Sequence, residues 1–151
     1  MAVQNLSGLS ERLLAAHNQE RAAVGVPPLV WDPALAQASA AYGSMLAARG
    51  DLAHSPEHMR VGQGENLWMG TRGAFSPEGM VADWASERRM FRPGTFPNVS
   101  TTANWGDVGH YTQMIWRGTT HVGCALHQSA RWDFLICRYS PPGNVMGQPV
   151  P

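Results

Sequence analysis

The chain has two cysteines, Cys124 and Cys137, and their placement constrains the fold more than any other feature. Each lies in a strand-like run, Thr120 to Gln128 and Trp132 to Tyr139, and a short polar turn separates the runs. Facing residues of an antiparallel hairpin have numbers with a constant sum. A turn centred between Ala130 and Arg131 pairs Ser129 with Trp132, and on that register Cys124 with Cys137. Directly opposed cysteines are within disulfide reach. The alternative is a pair of buried thiols. A disulfide implies an oxidising compartment. Closing so short a loop contributes about 3 kcal/mol at most.

Helix signals precede and interrupt the strands. The first runs from Ser7 or Ser10 to Val24, with Leu9, Leu13 and Ala16 on one side, and Gly25 and Pro27-Pro28 stop it. The second opens with Asp32 as N-cap and Pro33 in the first turn, carries Leu35, Tyr42 and Leu46 inward, and ends near Gly50. The third starts at Ser76-Pro77-Glu78 and carries Met80, Val81 and Trp84. A shorter helix is expected from about Asp107 to before Gly118, and a strand from Glu65 to Met69. The repeated strand-helix units of a doubly wound parallel sheet are absent, so the pattern indicates an α+β protein. The stretch from Arg92 to Trp105, rich in Pro and Thr, is expected to be a surface loop.

Two C-terminal stretches identify a family. Gly109 to Thr119 (GHYTQMIWRGT) and Phe134 to Val145 (FLICRYSPPGNV) resemble the two signature sequences of the CAP superfamily, which includes cysteine-rich secretory proteins, insect venom antigens and plant pathogenesis-related proteins. His17 to Arg21 (HNQER) is similar to the family's first-helix motif. The resemblance implies a three-layer α-β-α sandwich with a mainly antiparallel central sheet, as a single domain over residues 1–151. It also implies a secreted protein, extracellular or periplasmic. No secretory signal is visible, and Met1-Ala2 reads as a start left after its removal.

The resemblance further points to four cavity side chains: His54 in a His-Ser element, Glu65 in Glu-Asn-Leu, Glu87 closing Trp-Ala-Ser-Glu, and His110 in the first signature. Spacing supports one of these independently. Glu87 follows Trp84 by three residues and Met80 by seven, so it should emerge from the apolar side of its helix, where a carboxylate must be paired, protonated or metal-bound. Two imidazoles with two carboxylates suit Zn2+ or another divalent metal. Glu65 or Glu87 would then be a candidate catalytic base. A metal-free network in which His and Glu pair to hold the helices to the sheet is the competing reading. His17 shares a face with Leu13 and is expected in the core, while His58, His121 and His127 read as surface or strand residues.

Composition narrows the partners. Charges balance at 11 and 11 and every cation is an Arg, scattered along the chain, so nothing suggests nucleic acid as a partner. No apolar run approaches the ~20 residues of a transmembrane segment. Metalloprotease, nucleophile-elbow, phosphate-loop and dinucleotide motifs are all absent. Three function classes remain: a binding protein that takes a metal in the cavity and a small apolar ligand, such as a sterol or lipid, in a surface groove; a metal-assisted hydrolase or protease using the cavity; and a non-catalytic interaction or defence module. Lipid or sterol binding comes by analogy with family members.

Overall fold

The structure, a computed structural model, describes residues 4–151; the expected start at Met1-Ala2 lies outside them. Helix α1 (Leu9–Ala23) starts within the expected range, at Gly8 in the left-handed region (φ 65°), and ends before Gly25. A two-residue strand, β1 (Val30–Trp31), leads into α2 (Pro33–Arg49), which is capped by Asp32 through Ala34 N and closed at Gly50. Strand β2 spans Gly64–Thr71. Helix α3 (Pro77–Ala85) is capped by Ser76 and tightens into a 3-10 turn over Ser86–Met90. Strand β3 (Gly94–Thr95) follows, and a 3-10 turn at Trp105–Asp107 precedes α4 (Gly109–Ile115). The hairpin strands are β4 (His121–Gln128) and β5 (Trp132–Ser140), and β6 (Pro149–Val150) pairs with β3.

The main sheet has the order β1-β4-β5-β2, antiparallel except for the parallel pair of β1 with β4. The hairpin register is as expected: Cys124 faces Cys137, and the two form a disulfide. Period-two alternation assigns the faces. Phe134, Ile136 and Leu67 pack with Tyr42 and Leu46 of α2. Leu135, Cys137, Tyr139, Val122 and Cys124 pack with Leu13 of α1, Met80, Val81 and Trp84 of α3, and Met114 of α4. The chain is thus an α-β-α sandwich with one helix on one face and three on the other. α2 sits so close to the sheet that a Cβ at Gly123 would collide with the backbone of Asp32, Leu35 and Ala36.

Arg21 locks α4 to α1. Its fully buried guanidinium donates to the carbonyls of Met114, Trp116 and Thr119 and, through Nε, to that of Pro27. Two of those carbonyls end α4, where a cation also meets the negative pole of the helix dipole. Burial lowers the Arg21 pKa to about 10, which still leaves it charged at neutral pH.

The segment from Arg92 to Trp105 is a largely exposed connection, as expected, but it is anchored inward: Phe96, Val99 and Ser100 are buried, and Phe96 and Val99 form a second core with Val108, Tyr111, Ile115, Trp116 and Val150. The Pro and Thr residues that suggest a loop hold an irregular backbone, and the apolar residues between them supply the packing.

Candidate functional site

A cavity of about 440 Å3 opens where the start of β2, the start of α4 and the loop after β5 meet. His54, Glu65, Asn66, Trp105, His110 and Gln113 are among its lining residues. His54 and His110, 56 residues apart in sequence, therefore share one cavity, as does Glu65. Glu87 is not in the lining and stands behind His110 instead.

Each imidazole rests on a carboxylate. His54 Nδ1 lies 2.9 Å from Glu65 Oε1, and His110 Nδ1 lies 2.7 Å from Glu87 Oε2. Because a carboxylate only accepts, both Nδ1 atoms carry the hydrogen, and in the neutral rings both Nε2 atoms are acceptors. Neither Nε2 has a protein partner among the described residues. His110 opens α4, and its ring stacks on Trp84 of α3, with centroids 6.0 Å apart and planes 15° apart. Glu87, expected on the apolar side of α3, sits on the 3-10 turn that follows it, where its other oxygen accepts Tyr111 N at 3.0 Å. Its carboxylate thus caps the first turn of α4 as well as holding His110.

Glu65 is held differently. Its side chain is fully buried, and all its acceptor capacity is used: Oε1 takes Ser55 N and His54 Nδ1, and Oε2 takes Ser55 Oγ at 2.8 Å and Arg138 Nε at 2.8 Å. Arg138 faces Glu65 across the β2–β5 ladder. The guanidinium also donates to Gln63 Oε1 and Ser55 Oγ and lies over the Tyr42 ring, 5.6 Å from its centroid. Burial alone would push the Glu65 pKa up, but the donors from His54 and Ser55 and the charge of Arg138 hold it at about 2.

The sequence reading names all four side chains of this cluster but misses Arg138, Ser55 and Asn66. Arg138 is one of two charged residues, with Asp133, in an otherwise largely apolar strand run, and that is a signal. Its partner is invisible until β2 and β5 are known to pair. Among the described residues no three or more His, Cys, Asp or Glu side chains converge as a ligand group. The arrangement is two carboxylate-backed imidazoles, not one four-membered cluster.

A second recess, about 370 Å3, lies between α1 and α3 and is lined by Ala15, Ala16, Val81, Ala82 and Ala85 together with Arg12, Glu20 and Glu78. It is separate from the His-lined cavity.

Known proteins agree with this architecture. The model of the cysteine-rich secretory protein family, CAP, matches residues 14–139. Pathogenesis-related protein 1C of Nicotiana tabacum is 41% identical over 137 residues, which are 89% of this chain and 76% of that protein. Pathogenesis-related protein PR-1 type of Sambucus nigra is 37% identical over 135 residues, 88% of this chain and 76% of that one. Among solved structures, a crystal structure described as NaASP2 with Zn2+ superposes with a TM-score of 0.76 at 21% identity, covering 92% of this chain and 82% of that chain. Venom allergen-like protein 4 of Schistosoma mansoni gives 0.69 at 23%, covering 95% and 94%. With both signature stretches in place and the family's sandwich around them, this chain belongs to the CAP, or cysteine-rich secretory protein, family.

Proposed function

We propose that the chain is an extracellular or periplasmic binding protein, one domain over residues 1–151, whose cavity takes a divalent metal, with zinc the first choice. The observation that carries this reading is the pair of cavity imidazoles, each with Nδ1 on a carboxylate and Nε2 without a protein partner. A carboxylate behind the imidazole is the arrangement that orients a histidine ligand and raises its basicity. His54 and His110 would hold the ion through Nε2. Glu65 and Glu87, which the resemblance offers as ligands, serve instead as the groups that aim them. Borderline nitrogen donors favour zinc over a hard cation. Bound there, the ion would supply Lewis-acid character to a water or carbonyl oxygen. The disulfide supports the compartment.

A hydrolase reading has less support. A general base for neutral pH needs a pKa near the working pH and a free lone pair. Glu65 has neither, since its pKa is about 2 and both oxygens are saturated. Both Glu87 oxygens are engaged as well. We place a small apolar ligand, such as a sterol or lipid, in the recess between α1 and α3, because its lining is mostly small apolar side chains while the His-lined cavity is ringed by polar ones.

The test is isothermal titration of metal-stripped protein with zinc, beside His54→Ala/His110→Ala. One site in the wild type that vanishes in the double variant supports the cavity. A folded wild type giving no heat overturns the metal reading. In parallel, displacement of a fluorescent fatty acid should be lost in Ala82→Trp and unchanged in the double His variant. Equal binding in all three proteins would remove the recess from consideration.

A further inference from the structure

A buried hydrogen-bond chain connects α1 to the cavity. His17 Nδ1 lies 2.8 Å from the Leu13 carbonyl, and His17 Nε2 lies 2.7 Å from the Tyr139 hydroxyl. Asn66 Nδ2 lies 3.2 Å from the Tyr139 hydroxyl oxygen and 3.1 Å from the carbonyl of His110. His17 and Tyr139 are fully buried, and Asn66 is 2% exposed.

The direction of every bond in this chain follows from one end. The Leu13 carbonyl can only accept, so His17 Nδ1 carries the hydrogen. The ring is neutral, because burial lowers its pKa to about 4, and Nε2 is then an acceptor. Tyr139 must donate its single hydrogen to Nε2, and its oxygen must accept from Asn66. The His110 carbonyl must accept too. Both hydrogens of the Asn66 amide are therefore spent, and the flipped amide would set its oxygen against two acceptors. Asn66 Oδ1 is left without a protein partner among the described residues. No fully buried side-chain nitrogen or oxygen there lacks one, so Oδ1 retains contact with the outside. Asn66 lines the cavity, and the cavity is that outside.

We infer that Asn66 is a positioning and selectivity residue of this cavity: the buried His17–Tyr139 chain fixes its amide so that Oδ1, never the NH2, is offered to the occupant, while its Nδ2 steadies His110 through the backbone. Among its lining residues the cavity then offers three acceptors without protein partners, His54 Nε2, His110 Nε2 and Asn66 Oδ1. An acceptor-only set selects a cation, or a hydrogen-bond donor such as a cation's water, and disfavours an anion. This rests on the reading that the cavity takes a divalent cation.

Two measurements on the intact protein separate the inference from that reading. Long-range 1H–15N correlation on the metal-free protein reports the His17 tautomer, and side-chain NH2 exchange reports Asn66. We expect a protonated Nδ1 on His17 and slow exchange at Asn66 that speeds up in Tyr139→Phe, a change that keeps the ring and removes only the hydroxyl. A protonated Nε2, or fast Asn66 exchange in the wild type, overturns the inference whether or not metal binds. Zinc titration supplies the second readout: Asn66→Ala should weaken binding by about tenfold or more, with Tyr139→Phe intermediate. Unchanged affinity in a folded Asn66→Ala protein also overturns it. A wild type that binds no zinc sinks the metal reading, while the tautomer and exchange data still decide how the amide is held.

Discussion

Glu65 and Arg138 form the most consequential pair of side chains in the molecule. Removing two charges from water is costly, and the cost is offset only where every remaining donor and acceptor is matched. Here the match is complete on the carboxylate, through Ser55 and His54 as well as the guanidinium. Breaking the pair from one side leaves a buried charge alone, so Arg138→Met should cost about 3–5 kcal/mol at neutral pH by urea denaturation. The pH dependence has a definite sign. The native pKa of Glu65 is about 2 against an ordinary 4.5, so between these values the unfolded chain binds a proton that the native chain does not. Stability from this group is complete above pH 4.5 and is lost as pH falls toward 2, by about 3 kcal/mol in all. Glu65→Gln should flatten that window. An unchanged slope in the variant would assign the acid sensitivity to another group.

At the scale of the elements, the β4–β5 hairpin is held at both its covalent and its hydrogen-bonded level. The disulfide closes a short loop in strands that β2 already pairs on one side and β1 on the other. Its removal in Cys124→Ala/Cys137→Ala should therefore lower stability by about 3 kcal/mol at most, with the register kept. Matched cross-strand NOEs at Leu126 and Leu135 would show the kept register, and their loss would mean that the disulfide sets it. This hairpin was legible because local turn arithmetic places both partners. So were the caps of α2 and α3, where Asp32 and Ser76 do what their residue types favour. The Glu65–Arg138 pair was not legible, because it needs β2 to lie beside β5 across 73 residues. The family resemblance supplied His54, Glu65, Glu87 and His110, of which only His110 lies in a signature stretch, but no sequence pattern says which oxygen a histidine leans on. That is why the four were expected as one ligand set and stand as two separate pairs.

The whole molecule carries two cores on the three-helix side, and the second explains how a cavity survives between irregular segments. Phe96 and Val99 sit in a stretch without regular structure beyond β3, yet both are essentially inaccessible to solvent. The Phe96 ring packs against Trp105 at 5.0 Å and Trp116 at 5.8 Å, and the Phe96 backbone bonds Gly147 and Gln148 of the C-terminal segment. One aromatic side chain thus ties the α3–α4 connection, the C-terminal strand and the end of α4 together. It also supports Trp105, which forms part of the cavity wall. Removing a ring of this size from a closed site costs about 3–5 kcal/mol, and Phe96→Ala should lose that much in urea denaturation. Trp105→Ala, at a side chain 39% exposed, should cost far less. The contrast is diagnostic, because a loop without a buried anchor would give two small values. If Phe96→Ala costs under about 1 kcal/mol, the segment is a covering strap and the cavity wall is held by α4 alone. A loss in the expected range makes the second core the support on which the α4 side of the cavity rests.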